Sequence, residues 1–171
     1  MNKHIIIAAI FIITCCPYGF CQTAAVKTPA IDGNVNDWEH LFNATQKKQL
    51  DSVITAFSNK TNAPMILVTM GSAVTPSNNI DNFTIQVDSI FHNNHNILDM
   101  AIFLSKEFRT LTINAQFPNN TDTAQMQAIK ERVQQLFQEA AKPYIPLLKE
   151  GKYTEALMGT ITDLADAIKK G

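Results

Sequence analysis

Few residues in this sequence have the types and the spacing that catalysis or metal binding requires. It contains no glycine-rich phosphate loop, no Gly-x-Ser-x-Gly nucleophile turn and no His-Glu-x-x-His zinc motif. His92 and His95 have an i, i+3 spacing that metal ligands use, but their Asn-rich surroundings equally suit solvated loop histidines. Asp37 and His40 are similarly close, and Asp37 can instead cap a turn. Spacing alone therefore identifies no catalytic centre.

The N-terminal segment has the pattern of a secretory signal peptide. Lys3 supplies a basic start, and the apolar run Ile5–Thr14 is shorter than the roughly 20 residues that span a bilayer. Gly19 and Cys21 are small residues at the positions that a signal peptidase recognises. The sequence therefore predicts cleavage between Cys21 and Gln22, and export of the remainder.

The cysteines all lie in this predicted leader. Lipidation at Cys15 or Cys16 is the alternative to cleavage after Cys21, and it would give a membrane-anchored lipoprotein. If cleavage follows Cys21, the mature chain has no cysteine. That outcome excludes disulfides, thiolate nucleophiles and cysteine metal sites.

Length predicts one domain after the signal peptide, and the charge balance gives no support for nucleic acid or an anionic membrane as a partner. Residues 1–21 are predicted to be the signal peptide, 22–33 a flexible lead-in and 34–171 a single domain. A formal net charge of −1 favours neither nucleic acid nor an anionic membrane as a partner. No stretch of the mature chain has the length and hydropathy of a transmembrane segment.

The hydrophobic pattern alternates between helix and strand. Apolar residues at helical spacing predict helices near 46–59, 79–92, 123–142 and 154–168. Continuous or alternating apolar runs predict strands near 64–70, 98–105 and 109–116, the last two joined by a hairpin turn. Val35–Trp38 is predicted to be a turn, with Asn43 or Thr45 capping the first helix and Asn62 ending it. We predict a single three-layer α/β/α sandwich around a central mixed sheet.

The order of these elements resembles the TPM domain family. Val35-Asn36-Asp37, a helix, and then Lys60–Ala63 before the strand Met65–Thr69 are similar to the start of TPM domains. Pro146–Leu157, with its Gly-x-Tyr turn, is similar to their closing signature, and Arg109 matches an arginine that opens a hairpin strand. The family includes a phosphatase of the plant thylakoid lumen, photosystem II repair factors and bacterial envelope proteins. The resemblance implies a periplasmic or secreted module, with another envelope protein or a small phosphorylated ligand as its partner.

The resemblance also implies a site. TPM domains have an acidic crevice at one edge of the sheet that binds divalent metal, and in some members it supports phosphomonoester hydrolysis. The corresponding residues here are Asp37, Asp99 and Asp122, whose carboxylates suit Ca²⁺ or Mg²⁺. The alternative is that each aspartate caps its neighbouring element.

Two classes of function therefore compete. One is a divalent-metal-dependent phosphatase, and the other is a non-catalytic or weakly metal-binding envelope module. The family's glycines beside the site correspond here to Asp99-Met100 and Gln116–Pro118. Their loss favours the second class, because a glycine lets the backbone approach a ligand and Met100 would crowd it.

Overall fold

The computed structural model describes residues 28–75, 79–92, 97–117 and 122–170. The predicted signal peptide, its cleavage site, the first part of the lead-in and His95 lie outside these ranges. Within them the elements in chain order are β1 (Val35–Asp37), α1 (Ala44–Thr61), β2 (Met65–Thr69), α2 (Ile80–His92), β3 (Asp99–Ser105), β4 (Thr110–Gln116), α3 (Thr123–Ala141), α4 (Ile145–Lys149) and α5 (Tyr153–Lys170). None of the helices in these ranges has the length and hydropathy needed to cross a membrane.

The four strands form one mixed sheet in the order β1-β2-β3-β4. β1, β2 and β3 run parallel, and β4 pairs antiparallel with β3 through the predicted hairpin. The register sets Asp37 beside Thr69 and Thr69 beside Leu104, at the carboxyl end of the parallel strands. Asp99 pairs with Gln116 at the amino end. The predicted mixed sheet is confirmed.

Helices cover both faces of the sheet, which confirms the three-layer α/β/α sandwich. Helices α1, α3 and α5 cover one face, where Phe57 and Leu157 pack with Ile102. Helix α2 covers the other face, where Phe83 packs with Phe103. Burial on both faces explains why β2 and β3 are continuous apolar runs.

Local signals set the boundaries of α1 as predicted. The Asn43 side chain accepts from the backbone N–H of Gln46, whose own side chain accepts from Asn43 N–H in a capping box. Asn62 ends the helix with a φ of 57°, in the left-handed conformation that asparagine tolerates.

The turn predicted at 35–38 is wrong, because Val35–Asp37 form the edge strand β1. β1 is only three residues long, and two of them are Asn36 and Asp37, types that are depleted in strands. It forms because its backbone pairs with β2 and because the Asn36 side chain bonds the preceding turn, accepting from Asp32 N–H and donating to the Gly33 carbonyl. None of these partnerships produces a periodic sequence signal.

Candidate functional site

The structure does not bring the three predicted aspartates together. Asp37 ends β1, whereas Asp99 begins β3, so they lie at opposite ends of parallel strands. The β3 residue at the level of Asp37 is Leu104, five positions beyond Asp99, which corresponds to roughly 16 Å along the strand. The expectation that these carboxylates converge in one crevice is therefore wrong, because β1 and β3 run in the same direction and Asp37 ends one while Asp99 begins the other.

Asp37 is held by donors of the protein itself. Its side chain is 0% exposed, and it accepts from the backbone N–H of Leu41 at 2.8 Å and of Phe42 at 3.0 Å. The Thr69 hydroxyl donates to the same carboxylate at 2.9 Å, and Lys47 Nζ lies 3.3 Å from Oδ2. These four partners fix the chain reversal between β1 and α1. A cation would have to displace several of them to reach the carboxylate oxygens.

Asp122 has the capping role that was its alternative assignment. It is exposed, and its side chain accepts from the backbone N–H of Ala124 at 3.2 Å, at the start of α3. In the part of the chain that the structure describes, no three His, Cys, Asp or Glu side chains are grouped to hold a metal ion. Metal roles for Asp37, Asp99 and Asp122 stay predictions.

Further acidic side chains at the carboxyl end of the sheet bind backbone donors. Glu39 accepts from the N–H groups of Lys106 and Glu107 at 3.0 and 2.9 Å, and its own N–H donates to Thr69 Oγ1. Glu107 accepts from Ser72 N–H at 2.7 Å, and this bond holds the pKa of Glu107 below its ordinary value. The Glu39 bonds hold the β3–β4 turn against the loop after β1, and the Glu107 bond holds it against the loop after β2.

The amino end of the sheet carries a group of buried and half-buried polar residues, which we call the amino-end cluster. Its members lie on α2, β3 and β4: Asp88, His92, Asp99, Asn114 and Gln116. His92 Nδ1 lies 2.9 Å from Asp99 Oδ2, and Asn114 Nδ2 donates to Asp88 Oδ2 at 2.7 Å. The periodicities of helices and strands explain why these residues lie on common faces. Asp88 and His92 are one turn apart, and Asn114 and Gln116 are two residues apart on one face.

Burial gives Asp88 an unusual protonation equilibrium. The residue is 2% exposed, and burial raises its pKa from 3.8 to about 7. Hydrogen bonds from Asn114 and Gln116 act in the opposite direction, the negative charge of Asp99 raises the pKa further, and Lys130 lowers it. Asp88 therefore exchanges a proton near neutral pH.

The cluster contains parts that acid–base chemistry uses. Asp99 accepts from the Nδ1–H of His92, which orients the imidazole and leaves Nε2 as its second ring nitrogen. The His92 side chain is 16% exposed, so it connects the buried Asp99 carboxylate to solvent. A carboxyl group that titrates near pH 7 beside an oriented imidazole can hold or transfer a proton.

Comparison with known proteins identifies a shared fold. No protein-family model matches the chain, and no curated protein matches it either. The solution NMR structure of the N-terminal domain of a P. gingivalis protein is similar, with a TM-score of 0.57 and 15% identity over 77% of this chain and 79% of that chain. The N-terminal domain of the cg2496 protein from Corynebacterium glutamicum is similar too, with a TM-score of 0.51 and 13% identity over 82% and 84% of the two chains. The α/β fold is shared. Identity this low carries nothing beyond the fold.

The sequence interpretation found two members of the amino-end cluster and missed the rest. The resemblance indicates Asp99, and the i, i+3 spacing indicates His92 only together with His95. Asp88 had a detectable signal, because it follows Val87 on the apolar face of α2 and precedes His92 by one turn. Asn114 had no such signal, since only the pairing of β3 with β4 and the packing of α2 bring it to Asp88.

Proposed function

We propose that this chain is an exported, non-catalytic binding module of the cell envelope with a TPM-like fold. One observation carries the proposal: Asp37 and Asp99 lie at opposite ends of the sheet, and the carboxylate oxygens of Asp37 already accept hydrogen bonds from the protein's own donors. The N-terminal segment with its basic start and short apolar run supports export. The resemblance to TPM domains supports the envelope as its location.

The spacing of the carboxylates argues against a shared catalytic cation. Calcium ligands lie 2.3–2.6 Å from the ion, so two oxygens on one ion are at most about 5 Å apart. Asp37 and Asp99 are separated by roughly three times that distance along the strands. Met100, at the position of a family glycine, is 1% exposed and belongs to the core on the face of α1, α3 and α5. The Met100 side chain therefore fills space that a glycine at this position would leave open to a ligand.

The test separates a structural Asp37 from a metal-binding Asp37. Asp37→Asn leaves one acceptor oxygen for several buried donors, so the free energy of unfolding should fall by about 2–4 kcal/mol. The loss should be the same with and without excess Ca²⁺ or Mg²⁺, measured by urea unfolding. Asp122→Asn is the matched control, because asparagine caps a helix as well as aspartate does and the stability should hardly change.

A metal titration followed by amide NMR completes this test. We expect no saturable set of shifts shared by the surroundings of Asp37 and Asp99. A calcium-dependent stabilisation of the wild-type chain that disappears in Asp37→Asn would contradict the proposal.

The second candidate function is a divalent-metal-dependent phosphomonoester hydrolase. The observation that favours it is Asp88, with a pKa of about 7, in the same cluster as the oriented His92. Hydrolysis of p-nitrophenyl phosphate should then depend on the amino-end cluster. Turnover that requires Mg²⁺ or Ca²⁺ and is lost in both Asp88→Asn and His92→Gln would replace the first proposal with this one. Turnover at the background rate in all three chains supports the binding module.

A further inference from the structure

A cavity of about 640 Å³ lies where the β3–β4 hairpin meets α4. Its cationic side chains are Lys106, Arg109 and Lys149, and its apolar walls include Leu111, Ile145 and Leu148. We infer that this cavity binds a small amphipathic anion, with a carboxylate or phosphate at the cations and an apolar chain or ring against the walls. The inference goes beyond the proposed function, because it uses neither Asp37 nor Asp99 and holds whether or not the domain is a hydrolase.

Among the residues that the structure describes, the cationic side chains of this cavity have no acidic ion-pair partner. No aspartate or glutamate is among its lining residues, and in the described part of the chain Lys106, Arg109 and Lys149 form no ion pair. The acidic residues of the adjoining turn are engaged elsewhere, since Glu39 binds backbone N–H groups of the turn and Glu107 binds Ser72. Three cationic side chains around one concave surface attract an anion.

Arg109 is held in a conformation that favours other residues. Its φ is 53°, in the left-handed region where glycine and asparagine are the usual hairpin residues. An arginine here strains the backbone at the last position of the turn, directly before β4. Strain at a cavity wall points to a use for the side chain. In this case the use is to present a guanidinium to an oxyanion, which it can bind through two parallel hydrogen bonds.

The walls and the volume determine the rest of the ligand. Ile145 is 43% exposed although it is large and apolar, and it faces the cavity together with Leu148 and Leu111. A ligand that covers apolar surface of this kind removes it from water, and this burial favours binding. Cavities of about 300–1,000 Å³ accommodate ligands of drug size. A bare inorganic anion would leave these walls uncovered, so an anion with an apolar body fits better.

The experiment compares four probes by amide NMR on the full chain. Decanoate and decyl phosphate carry both features, decanol carries only the apolar chain, and inorganic phosphate carries only the charge. We expect both amphipathic anions to shift amides of 109–111 and 145–149, with affinities at least about tenfold above those of decanol and phosphate. The affinity should fall as salt is added, because the cations are exposed. A preference between the two anions identifies the head group and supports the inference.

Arg109→Gly separates binding from folding. Glycine accepts a positive φ without strain, so the midpoint of thermal unfolding should be kept or raised while binding weakens at least about tenfold. Lys149→Gln should also weaken binding. Lys48→Gln removes an exposed lysine of α1 that does not line the cavity, and it should leave binding unchanged.

Several outcomes would overturn the inference. Equal affinity for decanol and decanoate would show a purely apolar surface, and equal affinity for phosphate and decyl phosphate would show a simple anion site. Unchanged binding by Arg109→Gly, or shifts confined to other parts of the domain, would also refute it.

Discussion

Replacing Asp88 with asparagine tests how strongly one buried carboxyl group ties the stability of this domain to pH. Asp88 lies on the buried face of α2. It interacts with Asp99 of β3, Asn114 and Gln116 of β4 and Lys130 of α3. Asparagine has nearly the same shape and keeps an oxygen that accepts from Asn114. It removes the charge that burial disfavours, so the substitution isolates the cost of ionising this group.

The sign follows from the pKa in the two states. In the folded chain the pKa of Asp88 is raised to about 7 from 3.8, so between these values the folded state binds a proton that the unfolded state lacks. The stability that this group contributes is therefore complete below pH 4 and is lost as pH rises through 7. A difference of about three pKa units corresponds to about 4 kcal/mol in total. Between pH 5 and pH 8 the loss is about 2–3 kcal/mol.

The assay is urea unfolding at pH 5 and pH 8, followed by fluorescence of Trp38. This is the single tryptophan of the chain, and its ring packs edge-on against Phe83 of α2 with the centroids 5.8 Å apart. We expect the free energy of unfolding of Asp88→Asn to rise relative to wild type by about 2–3 kcal/mol between pH 5 and pH 8. Contributions of titrating groups that do not interact with Asp88 are common to both chains and cancel in the difference.

Asp81→Asn is the matched control, since Asp81 lies exposed in the first turn of the same helix. Its stability should follow that of wild type at both pH values. Parallel behaviour of Asp88→Asn and wild type from pH 5 to pH 8 would refute the reasoning, because it would show that Asp88 does not take up a proton on folding in this range.

Two further substitutions test the packing. Gly159→Ala places a methyl group 2.3 Å from the Tyr144 ring, so it should destabilise the domain by about 1 kcal/mol despite the higher helix propensity of alanine. In a Tyr144→Ala background, where the ring and its bond to Asp163 are gone, the same change should stabilise the domain by about 0.5–1 kcal/mol. Thermal unfolding of wild type, the two single variants and the double variant checks this. An effect of Gly159→Ala with the same sign in both backgrounds would contradict it. Phe57→Ala should cost about 3–5 kcal/mol in urea unfolding because the ring is 1% exposed. Ile85→Ala, at a side chain 57% exposed, is its control, and equal small losses in both variants would show that Phe57 is not a core residue.

The sequence by itself determined the fold class and most of the elements. Helix α1 was predictable from Asn43 to Asn62, because capping and left-handed termination depend on side chains within a few residues of the helix ends. Strands β2 and β3 were predictable as buried runs, since a strand covered on both faces needs apolar residues at every position. Edge strand β1 was not, because a three-residue strand has no measurable period and is held by the backbone of β2.

The candidate site depended on that missed strand. If Val35–Trp38 formed a turn, nothing in the sequence would oppose placing Asp37 near Asp99. Once β1 is known to run parallel to β3, the residue that ends one and the residue that begins the other must lie at opposite ends of the sheet. Strand direction is a property of distant pairing, and local spacing does not report it.

Only the tertiary structure decided which polar residues meet. Asp88 reaches Asn114 across 26 positions of sequence because α2 packs over the β3–β4 pair, and this burial raises the pKa of Asp88. Arg109 and Lys149 line one cavity because α4 lies against the end of the hairpin. The sequence gives only the type of an ionisable residue. Its solvation and its neighbours, which set its chemistry, exist only after the chain has folded.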